Sequence, residues 1–527
     1  MKSRASLLFA ATIAAIALSP APLAAQLESI RGAPPTIDIT PQRIELPPGV
    51  EPATTMAEGR AVGQVYRIVT LDGGPDGINS VIALAPDITK QVRNLQRRGL
   101  PLDGRAVLVK DNIETRELPT TAGSLALKDN MTGRDAPLIA NLRAAGGVVM
   151  GKTNLSEWAN IRSNDSTSGW SAVGGLTRNP HAIDRNSCGS SSGSGAAVAA
   201  GFAWGAIGTE TNGSITCPAS INGVVGFKPS VGIVSRTHVV PISSTQDTAG
   251  PMTRTVYDAA LLLTAIAGED EADAATLDAV RVSDYTAGLG DFSLEGVRIG
   301  VMRDQIGNDA RVAGVYEKAL ADLEAAGAEL VDIEFEMNEE IWDASFTVLM
   351  FELREEMGKY LASIPQIDGA DTPRSLADLI AFNEGSEAEM RWFNQDLFEL
   401  AETTTDREAY EAARAKALRI AGKETLDALM AQHNVQFLTA PTRGPAWMSD
   451  LVLGDQFNGS IGFGTPAAVA GYPHLTVPMG DVENLPVGIS FFGAKWDDHG
   501  VLKVGAAYER ARSAELPKPS FKRWSPQ

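Results

Sequence analysis

Twice along the 527-residue chain a short run of unbroken apolar residues is followed by a stretch of helical period, a glycine stop and a second apolar run. Ala106-Val107-Leu108-Val109, Pro137 to Ala145 and Val148-Val149-Met150 form the first such unit, stopped by Gly146-Gly147. Val297 to Met302, Ala310 to Ala326 and Leu330 to Phe335 form the second, stopped by Gly327. Strands that are apolar at every position, not at alternate ones, need cover on both faces. The pattern predicts an α/β fold, a large mixed β-sheet covered by helices on both faces. Further strands are predicted at Ile78 to Leu84, Phe437-Leu438-Thr439 and Val487 to Phe492, with helices at Asp87 to Arg98 and Val501 to Arg510. Residues 340–434 break the rhythm. They are charge-rich, poor in turn signals, and read as a helical insertion, with Asp406 to Ala421 as one of its helices.

The ends of the chain read differently. Residues 1–25 have the form of an export signal: Lys2 and Arg4 precede apolar Leu7 to Leu18, and small residues lead through Leu23-Ala24-Ala25. The apolar run is shorter than the ~20 residues that span a bilayer as a helix. The expectation is an exported chain, periplasmic or secreted, with no membrane partner after signal removal. The Pro-rich sequence leads to the expectation of an extended arm over 26–74, with the folded domain over 75–512 and a tail over 513–527.

Composition excludes several classes. A net charge of −20 without any basic block disfavours nucleic acid and anionic lipid as partners. Two cysteines build neither a disulfide scaffold nor a four-thiolate zinc site. The five histidines, at 181, 238, 433, 474 and 499, never fall into a close ligand pair. No metal and no cofactor is expected; the sequence does not set the oligomeric state, and a monomer is favoured.

The chemistry concentrates in Cys188-Gly189-Ser190-Ser191-Ser192-Gly193-Ser194-Gly195, which runs into Ala196-Ala197-Val198-Ala199-Ala200. The alanines predict a helix starting near Gly193, so the hydroxyls cluster just before a helix N-terminus. That arrangement reads as a flexible linker, a phosphate nest or a nucleophile site. It lacks the Gly-Lys-Ser/Thr ending of a P-loop. Gly189-Ser190-Ser191-Ser192-Gly193 also matches the G-x-S-x-G elbow of α/β-hydrolases, which would then need His433, His474 or His499. A binding protein that uses the same cleft without catalysis is a third class. A second serine loop follows at Gly208-Thr209-Glu210-Thr211-Asn212-Gly213-Ser214, and Lys110-Asp111-Asn112 stands at the carboxyl end of a predicted strand, where α/β sheets gather their catalytic groups.

Taken together, these segments resemble the amidase signature family. Its Gly/Ser-rich hallmark stands as Cys188 to Ser194, its nucleophile loop as Gly208 to Ser214, and its lysine as Lys110. Gly151-Lys152-Thr153-Asn154, Gly223 to Pro229, Asp247 to Met252, and Ala470-Gly471-Tyr472-Pro473 with Leu485 to Gly488 agree in order, and the resemblance covers roughly residues 75–512. Ser214 to Pro218 and Gln246 to Met252 look most like the bacterial peptide amidase branch. Cys188 and Ser192 replace glycines, Glu210 an aspartate and Asn212 a glycine.

The resemblance implies an amidase without cofactor, with Ser214 as nucleophile, Ser190 as bridging serine and Lys110 as base. It also implies an oxyanion hole from the amides of Thr211, Asn212, Gly213 and Ser214. Its substrate would be a small-molecule or short peptide amide, C-terminally amidated peptides first, with aryl acylamides, carbamates and esters open to the same chemistry. Lys110 works as a base only when neutral, so burial must lower its pKa, and Asp111 should not contact its amine. Cys188 and Cys217 could pair in an oxidising compartment, but the sequence does not fix their separation, and two small buried thiols are the favoured expectation. Ser191 and Ser194 are expected to serve capping and packing. Trp158, Arg162 and Trp170 either border the cleft or pack the core, and Trp447, Met448 and Phe457 are candidates for an apolar wall.

Overall fold

The computed structural model describes residues 55–95, 99–366 and 372–526. The export signal over 1–25 and the first part of the arm lie outside the described residues. Eleven strands form one mixed sheet: β1 (Val81–Leu84), β2 (Ala106–Lys110), β3 (Val148–Thr153), β4 (Gly205–Glu210), β5 (Val225–Lys228), β6 (Thr248–Thr253), β7 (Arg298–Met302), β8 (Glu329–Ile333), β9 (Phe437–Pro441), β10 (His474–Val482) and β11 (Leu485–Phe492). Their order is β1-β3-β2-β4-β6-β5-β10-β11-β9-β7-β8. The strands of both predicted units lie in it, β2 beside β3 and β7 beside β8, each pair parallel.

Both faces are covered, and alternation along β2 shows how. Val107 and Val109 join the core formed with α3 (Pro137–Ala144), α6 (Val256–Ile266), α7 (Ala310–Ala325) and α13 (Asp498–Ala511). Ala106 and Leu108 join the core on the other face, with α1 (Met56–Leu71), α2 (Ile88–Leu95), α4 (Ser192–Ala199) and α5 (Thr216–Ile221). Because side chains alternate along a strand, Lys110 shares the face of Leu108 and is aimed toward the start of α4.

Helix α1 corrects the extended arm expected over 26–74. Thr55 caps it by accepting from the Glu58 amide at 3.3 Å, and Ala57, Ala61, Val65 and Ile68 bury one helical stripe against the sheet. The Pro-rich text upstream masked this stripe, whose period of three and four is legible in the sequence.

Residues 340–433 form helices α8 (Glu340–Ser363), α9 (Leu376–Glu384), α10 (Asp396–Thr403) and α11 (Arg407–Leu418), a π-helical stretch (Arg419–Asp427) and α12 (Ala428–His433). Two buried carboxylates tie this lobe to the loops above the sheet. Glu352 accepts from the Thr245 amide at 3.0 Å and from Thr245 Oγ1 at 2.6 Å. Glu389 accepts from Ser124 Oγ at 2.9 Å and from the Leu125 amide at 2.6 Å.

Candidate active site

Lys110 ends β2, fully buried. Strand β2 runs parallel to β4 with Val109 opposite Ile207, and continuing that register sets Lys110 opposite Gly208, one residue before Thr209. Its Nζ donates to Thr209 Oγ1 at 2.8 Å and to the Thr209 carbonyl at 3.2 Å, and lies 2.7 Å from Ser190 Oγ. Burial brings the pKa down to about 7, against the opposing pull of the Asp247 and Glu210 charges. Asp111 turns away and pairs with Lys152 at 2.9 Å, while its second oxygen accepts from the Thr121 amide at 3.1 Å.

The serine-rich stretch passes directly over this amine. The Gly189–Ser190 peptide bond is cis, and Ser190 is buried. The backbone packs so closely that a Cβ on Gly189 would lie 2.1 Å from Ser156 Oγ, and one on Gly193 would lie 2.3 Å from the Ser80 carbonyl. The neighbouring serines bond the scaffold. Ser191 Oγ donates to the Thr209 carbonyl at 3.1 Å, Ser194 Oγ donates to the Ile207 carbonyl at 3.3 Å, and Thr153 Oγ1 lies 2.8 Å from Ser194 Oγ.

Ser214 lies at the end of the second loop, half-buried, after Gly213 at φ +84°. Its carbonyl accepts from the Ser191 amide at 3.0 Å, which fastens one serine loop to the other. The Glu210 carboxylate accepts from the amides of Ile215 at 2.7 Å and Thr216 at 2.9 Å and so pins the turn on which Ser214 sits. Thr211 Oγ1 donates to Asp247 Oδ1 at 2.6 Å. Ser190, Thr211, Asn212, Gly213 and Ser214 all line one cavity of about 250 Å³.

A disulfide joins Cys188 to Cys217, with Cα atoms 6.0 Å apart. This corrects the expectation of two separate thiols. The residues are 29 apart in sequence, and only the folding of α4 and β4 back onto the serine stretch brings them within bonding range.

Of the aromatic candidates, Trp447 and Phe457 line the cavity, whereas Met448 is exposed. Trp158, Arg162 and Trp170 pack instead. Trp158 meets the Phe398 ring at 5.9 Å, and Arg162 lies over Phe393 at 4.1 Å, pairs with Glu157, and reaches Glu389 at 3.2 Å. The residues between them, Ala159, Asn160 and Ile161, are the ones that line the cavity. Arg443 lines it too, beside Gly213 and 4.9 Å from the Phe457 ring centroid, with no hydrogen-bond acceptor or carboxylate partner among the described residues. Asn160 and Arg443 lie outside every recognisable motif, so the sequence carries no signal for either.

The histidines lie elsewhere. His474 Nε2 is 2.7 Å from Ser490 Oγ, His499 Nε2 is 2.8 Å from the Ala287 carbonyl, and His433 ends α12. Among the described residues none bonds to Ser190, Ser191, Ser192 or Ser214, so the arrangement is not that of an α/β-hydrolase triad. Among the described residues, too, no three His, Cys, Asp or Glu side chains are grouped to hold a metal ion, and no helix is long and apolar enough to cross a membrane.

The sequence profile of the Amidase family matches residues 77–502. The chain belongs to the amidase signature family. It is an amide-hydrolysing enzyme with the fold of that family. A probable amidase of Arabidopsis thaliana is 33% identical over 394 residues, 73% of this chain and 71% of that protein. The native peptide amidase of Stenotrophomonas maltophilia is 45% identical with a TM-score of 0.82, covering 88% of this chain and 95% of that one. A peptide amidase in complex with the competitive inhibitor chymostatin is 46% identical with a TM-score of 0.84, covering 88% of the enzyme and 96% of its own chain.

Proposed function

We propose that the enzyme hydrolyses the terminal carboxamide of C-terminally amidated peptides through a Ser214–Ser190–Lys110 relay. One observation carries the chemistry: a buried lysine amine of near-neutral pKa lies 2.7 Å from Ser190 Oγ, and Ser190 lines a cavity together with Ser214. A serine hydroxyl is a poor nucleophile until a neighbour takes its proton. Ser190 accepts that proton from Ser214 while passing its own to neutral Lys110, since a hydroxyl donates and accepts at once. Ser214 Oγ bonds to the carboxamide carbon, and the amides of Thr211 to Ser214 meet the developing oxyanion. Collapse breaks the C–N bond, and the proton returns from Lys110 through Ser190 to the leaving nitrogen, which departs as ammonia. Water then attacks the acyl-enzyme by the same relay and releases the free acid.

The peptide substrate is supported by the two peptide amidases, similar over 88% of the chain. Export is supported by the composition of residues 1–25 and by a disulfide, which persists in oxidising compartments. Ser214→Ala is expected to abolish ammonia release from a dipeptide amide while leaving the circular dichroism spectrum unchanged. Retained turnover in that variant would refute the relay.

A further inference from the structure

Residues 158–160 are held in an unusual way. Trp158, Ala159 and Asn160 have φ of +50°, +54° and +74°, three successive non-glycine residues in the left-handed region. Such a run is unfavourable for L-residues and persists only where its surroundings impose it. Here they do. The loop is closed at its base by the buried Glu157–Arg162 pair, Arg162 Nη2 donates to the Glu389 carbonyl at 2.9 Å, and the Trp158 amide donates to the Ala122 carbonyl at 2.9 Å.

This costly conformation brings Asn160 to the wall of the cavity that holds Ser190 and Ser214. The Asn160 carboxamide makes no hydrogen bond to any described residue, and its Oδ1 is buried without a partner. A buried carboxamide oxygen without a partner forfeits free energy, and a strained loop that presents one is organised for a ligand. Turning the amide costs no protein hydrogen bond, since neither end has a partner, and exchanges the buried Oδ1 with the Nδ2 end, so the acceptor can face the cavity.

We infer that Asn160 reads the peptide unit immediately preceding the scissile carboxamide. This assignment rests on the peptide-amide reading above and names the residue that enforces it. A carboxamide offers one acceptor and an N–H donor, which complements the N–H and C=O of a peptide unit one residue away from the carbon that Ser214 attacks. Aryl acylamides and simple aliphatic amides lack that second unit on the acyl side. Asn160 acts on binding and orientation and takes no part in proton transfer.

Three substrates with the same leaving group test this. They are N-acetyl-leucinamide, its depsi analogue with the acetyl-linked N–H replaced by oxygen, and 4-methylpentanamide. Ammonia release reports only the terminal carboxamide, whatever happens to the ester. The wild-type enzyme is expected to favour the peptide over the depsi analogue by about 10- to 100-fold in kcat/KM, the effect of leaving one buried hydrogen-bonding group unpaired.

Asn160→Gly removes the carboxamide and suits the left-handed backbone, so it should fold. It is expected to bring that ratio to within about threefold of unity, and Asn160→Asp, which keeps the acceptor, to restore most of it. A fall of kcat/KM on peptide and depsi analogue alike in Asn160→Gly, with the ratio intact, would overturn the assignment of Asn160 alone. Turnover of 4-methylpentanamide by the wild type, with none of the peptide, would overturn the peptide reading and this assignment together.

Discussion

Lys110→Met separates what the site needs from what the fold tolerates. A lysine whose folded pKa lies below its unfolded value costs the fold stability. The cost is complete below the folded pKa of about 7, shrinks as pH rises from there, and vanishes above the ordinary value of 10.5. Methionine fills similar volume without a charge and removes the cost. Converted at ~1.36 kcal/mol per pH unit, the relief is about 5 kcal/mol at pH 6 and about 1 kcal/mol at pH 10. Against it stand the hydrogen bonds of Nζ to Ser190 and Thr209, worth roughly 2–3 kcal/mol together at any pH.

The variant is therefore expected to be more stable than the wild type at pH 6 and less stable at pH 10. The difference swings by about 4 kcal/mol over that range. Urea unfolding of both proteins at pH 6, 8 and 10 measures it. The same variant should release ammonia from a peptide amide at least about 10²-fold more slowly, since it has lost its general base. A stability difference that does not move with pH would mean that Lys110 keeps its charge in the fold, and the proton relay would fall with it.

Other outcomes follow from the same geometry. The kcat/KM of the wild type should rise with pH around a midpoint near 7 as Lys110 gives up its proton, and a flat profile from pH 6 to 8 would contradict this. Cys217→Ser opens a loop of 29 residues, so its thermal midpoint should drop by an amount equivalent to about 3–4 kcal/mol, and a reductant should lower the wild type to match. Arg162→Met leaves Glu157 and Glu389 buried without their cation and should cost about 3–5 kcal/mol at pH 8. Burial and the neighbouring Glu389 hold the Glu157 carboxyl well above the ordinary carboxylate range, so protonation should relieve part of that loss at pH 5 in urea unfolding.

The parts of the site that were legible in sequence are those fixed by local backbone geometry. Lys110 ends an unbroken apolar run, so its place at a strand terminus follows from periodicity. Gly189 and Gly193 stand where a Cβ would strike Ser156 and Ser80, so a tightly packed small-residue stretch is readable as such. What escaped depends on partners distant along the chain. Cys188 meets Cys217 only through the path of α4 and β4, and α1 was hidden behind proline-rich text. Asn160 and Arg443 are ordinary residues in sequence, and only the lack of a protein partner in a shared cavity sets them apart.

The lobe over 340–433 has an implication for how such enzymes can be recombined. Glu352 holds Thr245, two residues before Asp247, which in turn fixes Thr211, and Glu389 anchors both Ser124 and the Arg162 that closes the strained loop. The lobe is thus a keystone and not a detachable cassette. Grafting a relative's helices to borrow its selectivity would withdraw two carboxylates from the masonry around the serines. A chimera should stay competent only when acidic side chains return at positions 352 and 389.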